Sequence, residues 1–238
     1  MKRSAASFAA CAVGAFLLTH LELRAAQANE WLRGDPNELL VNAAAQGDVV
    51  SVQRQLTAHT DPNVASKSLS LALPLVQAAA NGHAGVISAL LQSGARVDAQ
   101  DGRGQRAIVV AAYHGRLGVC RQLLAAGARV DIAMATADEF TPLAAAVMSS
   151  HVAIVELLLQ AGAPLLHTVR SDRNALVVAA RVGNENMVAM LLDAVTKQAM
   201  QAGQTDGSER DLLLLARDEA AQANHARLVG LIEQRIKR

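Results

Sequence analysis

Aromatic side chains are nearly missing from this chain: one tryptophan, one tyrosine and three phenylalanines make up 2% of its 238 residues. An apolar content of 52% still allows an extensive core, but one assembled from alanine and leucine, whose modest size lets helices stack closely. Charge of one sign is missing too. With 22 Lys and Arg against 21 Asp and Glu the net charge is +1, and no long basic or acidic block occurs. That excludes the electrostatic footprint of a nucleic-acid binder. Cysteine is down to two residues, Cys11 and Cys120. No His-Glu-x-x-His, His-x-His or Cys/His cluster is present, so the common metal frameworks are absent. No nucleophile–base pair is suggested by spacing. We therefore expect no catalytic residue, no metal, no cofactor and no small-molecule substrate.

The first 28 residues belong to a different physical class. Lys2 and Arg3 precede an uncharged apolar stretch from Ala5 to Leu18, and a polar spacer leads to Ala26-Gln27-Ala28, a small-x-small cleavage signature. This reads as a signal peptide over 1–28, cleaved to leave Asn29-Glu30-Trp31 at the new terminus. The apolar run is shorter than the roughly 20 residues that span a bilayer. The alternative is an uncleaved inner-membrane anchor, the one case in which a membrane would be involved. Loss of Lys2, Arg3, Glu22 and Arg24 takes the charge from +1 to −1 and leaves Cys120 without an internal disulfide partner. Such an exported chain must be held together by side-chain contacts alone. The leader has a bacterial cast, so the periplasm is the expected compartment.

A motif returns every 33 to 35 residues. Leu75-Val-Gln-Ala-Ala-Ala-Asn-Gly82-His83, then Leu90-Leu91-Gln-Ser-Gly94-Ala95, comes back as Ile108-Val-Val-Ala-Ala-Tyr-His-Gly115, then Leu123-Leu124-Ala-Ala-Gly127-Ala128. A repeat of this length is one helix–turn–helix unit that cannot bury its apolar face alone. Five units align on Leu40, Leu75, Ile108, Leu143 and Leu176, and their two-residue excesses fall in Ser66–Leu71 and Ala133–Glu139. Gly47, Gly82, Gly115 and Gly183 fall between paired helices, and Gly94, Gly127 and Gly162 end second helices. These are positions where a left-handed backbone is expected. Ser150 and His59 replace two of these glycines, and Asn224-His225 stands in for Gly-His in a degenerate sixth unit.

Together with Thr141-Pro142-Leu143 and Asp61-Pro62-Asn63, these markers make residues 37–238 resemble ankyrin repeats. The resemblance implies an all-α solenoid of stacked helix–turn–helix units with β-hairpin fingers. Repeats are expected near 37–66, 67–102, 103–135, 136–170 and 171–200, after a flank over 29–36. An exposed loop over 201–208 and a capping helix pair over 209–238 would follow. The family's first-helix histidine is replaced by Val76, Val109, Ala144 and Val177, so fewer polar ties between units are expected. His83, His151 and His225 recur one repeat or more apart, which suits turn histidines bonded to backbone rather than metal ligands. Cys120 aligns with the inward Ile87 and reads as core, as does Phe140. Gly102-Arg-Gly104 lacks the surroundings of a phosphate loop, and Trp31 is placed to cover the apolar end of the first unit.

The resemblance also implies a non-enzymatic module whose partner, another protein, lies across a concave face lined by fingers and first helices. The two residues before each turn would point there: Ala45-Gln46, Ala80-Asn81, Tyr113-His114, Met148-Ser149 and Arg181-Val182. The candidate site is therefore Asn81, Tyr113, His114, Met148 and Arg181, with Arg103 and Arg173 reaching in from the fingers. Tyrosine beside a polar group is favourable hot-spot composition; the alternative is that Tyr113 packs over the next repeat. An adaptor, an inhibitor or protective factor of an envelope protein, a membrane-anchored scaffold and, more distantly, an accessory factor for a redox enzyme all fit these residues.

Overall fold

The computed structural model describes residues 35–66, 72–132, 140–165, 174–202 and 207–237. Among them the chain forms twelve helices and no strand. They come as pairs across tight turns: α1 (Pro36–Gln46) with α2 (Val49–Thr57), α3 (Pro74–Asn81) with α4 (Ala84–Gln92), and α5 (Ala107–Tyr113) with α6 (Leu117–Ala125). Then follow α7 (Pro142–Met148) with α8 (Val152–Gln160), α9 (Ala175–Val182) with α10 (Glu185–Ala202), and α11 (Ser208–Gln222) with α12 (Ala226–Ile236). Each first helix touches the next first helix from α1 through to α11. The second helices form another row, in which contact is thinnest between α8 and α10.

Local chemistry starts and stops these elements. Pro36, Pro74 and Pro142 occupy first-turn positions, where a missing N–H costs nothing. The side chains of Asp35, Asp48, Thr141 and Asn174 accept from the first free amides of α1, α2, α7 and α9. Hydrogen bonds from Ser51 also hold the Asp48 carboxyl below its usual pKa. Between the rows lies a continuous core. The aligned residues Leu40, Leu75, Ile108, Leu143 and Leu176 are all buried, as are Ala78-Ala79, Ala111-Ala112 and Ala179-Ala180. Leu90 and Leu123 are fully buried, while the second member of each leucine pair, Leu91 and Leu124, is only partly so. Phe140 and Cys120 are core residues, and burial pushes the Cys120 thiol up to about 12, so it is inert at neutral pH.

Every residue singled out for a left-handed backbone has one, glycine or not: φ is 78° at Gly47 and 85° at Gly82, but also 62° at His59, 58° at Ser150 and 61° at Asn224. Side chains with a Cβ pay about 1–2 kcal/mol there, and asparagine less than others. Replacing Ser150 or His59 with glycine is therefore expected to stabilise the protein by about 0.5–1 kcal/mol, after the extra freedom of the unfolded glycine is subtracted. Asn224→Gly is expected to change almost nothing. Urea midpoints of the three variants check this order.

Three expectations need correction. The fingers, where described, are single antiparallel bridges, Ser66 to Ala72 and Gln100 to Arg106, rather than ladders. The ends of the loop expected over 201–208 are helical, since Gln201 and Ala202 complete α10 and Ser208 opens α11, while 203–206 fall outside the described residues. The cause lies twelve residues after Gly183, where other units place the glycine that ends the second helix. Here Val195 stands, buried, and α10 continues to 18 residues. A β-branched residue does not take a left-handed backbone, so the helix runs on. The third correction concerns polar ties. Val76, Val109, Ala144 and Val177 are indeed apolar core, but ties between units are plentiful and lie elsewhere. The leader, Trp31 and the inserted residues 67–71 and 133–139 fall outside the described residues.

Candidate functional site

The turn between paired helices is where units are tied. The residue just after the left-handed turn residue, which is Gly82, Gly115, Ser150 or Asn224, reaches back to the carbonyl two residues before the preceding unit's turn glycine. His83 Nε2 bonds the Ala45 carbonyl at 3.0 Å, His151 Nε2 the Tyr113 carbonyl at 3.1 Å, and His225 Nε2 the Arg181 carbonyl at 3.3 Å. Arg116 does the same with its Nε, donating to the Ala80 carbonyl at 3.0 Å. The sequence signal for Arg116 is its position directly after Gly115, because the tie belongs to that position rather than to histidine. Each of these side chains lies over the preceding glycine. A Cβ on Gly47, Gly82, Gly115 or Gly183 would stand 2.5–2.9 Å from the ring or guanidinium arm above it. The remaining junction is different. Asn184 follows the turn there, and its carboxamide accepts from its own helix at Met187 N. The turn it would have covered carries Ser150, which already has a Cβ.

A second set of ties joins the finger ends. Asn63 donates to the Gly94 carbonyl at 3.1 Å and accepts from Arg96 N at 2.7 Å, and Asp98 accepts from Arg129 N at 3.2 Å. Gln198, on the overhanging half of α10, donates to the Ala163 carbonyl and accepts from Leu165 N. The carbonyls behind the candidate face are thus held from one unit to the next, which fixes the side chains that stand on them.

Tyr113 stands mid-stack on this braced edge. Its carbonyl is held by His151, while its ring remains 44% exposed and edge-on to His114, with ring centroids 5.1 Å apart. It is not covered by the next repeat. His114, Arg181, Val182 and Gln46 are exposed at equivalent turn positions. Asn81 is exposed, but its amide already donates to the Ala45 carbonyl at 3.0 Å. Met148 is half-buried and lies against the core, so it presents less surface than its position suggests. Arg103 tops an exposed finger turn. The buried Asp101 Oδ1 accepts from Arg103 N at 2.9 Å and from Gln105 N at 2.8 Å, while Gly104 takes φ 73°. Those amides are turned onto Asp101, so the Gly102-Arg103-Gly104 loop offers them to no phosphate. Arg173 lies outside the described residues.

Among the described residues no group of three His, Cys, Asp or Glu is placed to hold a metal ion. No helix there is long and apolar enough to cross a membrane. The site presents the exposed Tyr113 ring beside His114, with Arg103 and Arg181 exposed at neighbouring finger and turn positions. A family model for ankyrin repeats (3 copies) matches residues 40–134 and 130–202, well over half of the chain. No curated relative matches it.

Proposed function

We propose that this chain, which belongs to the ankyrin-repeat family, is an exported module that binds another protein of the cell envelope through the face centred on Tyr113 and His114. A protein–protein interaction module is what ankyrin repeats indicate, and the family is typically non-enzymatic. The finer reading makes it a periplasmic adaptor, or an inhibitor or protective factor acting on an envelope protein. Export rests on the leader-like first 28 residues, with Lys2, Arg3 and the apolar stretch before Ala26-Gln27-Ala28. Terminal sequencing of the protein from its native envelope should begin at Asn29; a retained leader would favour a membrane-anchored scaffold.

The single observation that carries the binding face is the exposed Tyr113 ring on a carbonyl locked by the next repeat. A rigid aromatic on a pre-formed edge loses little freedom when it is covered, and such residues commonly contribute about 2 kcal/mol or more to an interface. With a partner captured from native envelope by the full chain, Tyr113→Ala should weaken binding at least about thirtyfold. Its helical circular dichroism and melting temperature should stay near wild type, because the ring contributes little to the core. Normal binding by that variant would move the site off this face. Reversing the charge of Arg103 should instead slow association and change its salt dependence, as for a rim charge.

A further inference from the structure

Surface on the central first helices is confined to their turn ends. Residues 107–112 of α5, 142–147 of α7 and 175–180 of α9 are all buried, whereas Tyr113, His114, Arg181 and Val182, at the ends of α5 and α9, are exposed. A ligand therefore lies along the row of turns rather than down the length of those helices. That row is one-sided in charge. Residues 78–86, 111–119 and 146–154, which make the three central turns, include no acid. Their ionisable groups are the Arg116 guanidinium, the imidazoles of His83, His114 and His151, and the Tyr113 phenol. Arg181 carries the row into the following turn. The acids that bound it are engaged: Asp48 accepts from Ser51 N at 3.0 Å, and Glu185 pairs with Arg227 at 3.7 Å. Further along α6 and α8, Arg121 and Glu156 are exposed and opposite in sign. Arg116 spends its Nε on the Ala80 carbonyl, which leaves its two amino groups, and no described acid pairs with it or with Arg181.

We propose that this row of turns receives an extended acidic segment of the partner protein in polyproline-II conformation, with carboxylates on Arg116 and Arg181 and a prolyl ring on Tyr113. The proposal rests on the reading of the Tyr113 face as a protein-binding surface and gives that partner its chemistry. Charge complementarity supplies the acid. Spacing supplies the conformation. Each first helix touches the next, and helices packed side by side stand about 8–10 Å apart. A polyproline-II chain advances about 9 Å per three-residue turn, so it returns the same face to each successive unit. Arg116 and Arg181 lie two units apart, so carboxylates about six residues apart reach both. The Tyr113 ring, 44% exposed, is the aromatic surface on which prolines dock, and a preformed polyproline-II segment loses little freedom there. Two exposed guanidinium groups fall well short of the roughly 6–10 phosphate contacts that hold a nucleic-acid backbone, which favours a protein ligand.

The probe is a fluorescent peptide of about five Glu-Pro-Ala units, titrated with the full-length protein and followed by anisotropy. Saturable binding is expected, weakened by added salt and absent for the matching Lys-Pro-Ala peptide. Arg181→Glu should weaken it at least about fivefold, because it sets like charges against each other. Arg116→Glu should do the same but also loses the tie to the Ala80 carbonyl, so Arg181, whose side chain bonds no described residue, is the deciding position. Circular dichroism of both variants should match wild type. No saturable binding, equal binding of the two peptides, or binding unmoved by Arg181→Glu would overturn the proposal. Tighter binding of an oligothymidine than of the acidic peptide would overturn it in favour of a nucleic acid. The broader reading is judged apart: loss of the captured envelope partner by Tyr113→Ala keeps that reading standing even where the acidic peptide fails.

Discussion

Truncating Leu123 to alanine is expected to destabilise the protein by about 3–5 kcal/mol, near the top of the range for buried leucines. Leu123 is fully buried in α6, in the core shared by the two helix rows. A cavity opened there cannot close easily, because α6 is held by its paired helix and by the second helices on either side. A repeat stack has no distant core to absorb the loss, since each unit is stabilised only by its neighbours. Gln92→Ala, at an exposed site at the end of α4, should stay within about 0.5 kcal/mol of wild type. Chemical denaturation of both variants decides the matter, and equal effects would show the helical register to be wrong.

The second large effect is expected at Gly115. Gly115→Ala should cost about 3 kcal/mol and Gly127→Ala only about 1–2 kcal/mol, although both glycines are left-handed. The two have similar φ, 74° and 86°. They differ in what lies above them. A Cβ on Gly115 would stand 2.6 Å from the His151 ring, whereas one on Gly127 would meet nothing within 4 Å. Alanine at 115 therefore displaces the imidazole and breaks its bond to the Tyr113 carbonyl as well as straining the turn. Adding His151→Ala to Gly115→Ala should cost almost nothing further, because the tie is already lost. His151→Ala alone should cost about 1 kcal/mol. Additive costs in this double-mutant cycle would break the link between turn glycine and overlying histidine. The same change should also weaken partner binding, since it releases the backbone beneath Tyr113.

That pairing runs through the chain. Gly47, Gly82, Gly115 and Gly183 lie under His83, Arg116, His151 and His225, while Ser150 is followed one unit later by Asn184, whose side chain stays on its own helix. The serine turn and the asparagine that leaves it uncovered are two halves of one local solution.

Much of this was legible beforehand because a repeat converts sequence spacing directly into spatial register. The buried line Leu40, Leu75, Ile108, Leu143 and Leu176 could be written down from periodicity, and so could the left-handed turns at Ser150, His59 and Asn224. The placement of Tyr113 at a turn on the exposed edge followed from the same count. Spacing did not reveal which polar atoms would be used up. Asn81 spends its amide on a carbonyl 36 residues earlier, Met148 sinks toward the core, and Arg116 takes a role held by histidine in other units.

The sequence by itself determined the unit, its length, its turns and its apolar faces, because helix period and glycine conformation are local properties that each residue carries with it. The tertiary structure alone decided how the units are joined. Which carbonyl a turn side chain reaches, and which polar groups are thereby used up, depend on the neighbouring unit, which is close in space but 36 or more residues away in the chain. Those contacts are hydrogen bonds of 3.0–3.3 Å between groups that no local pattern relates, so they exist only once the stack has formed.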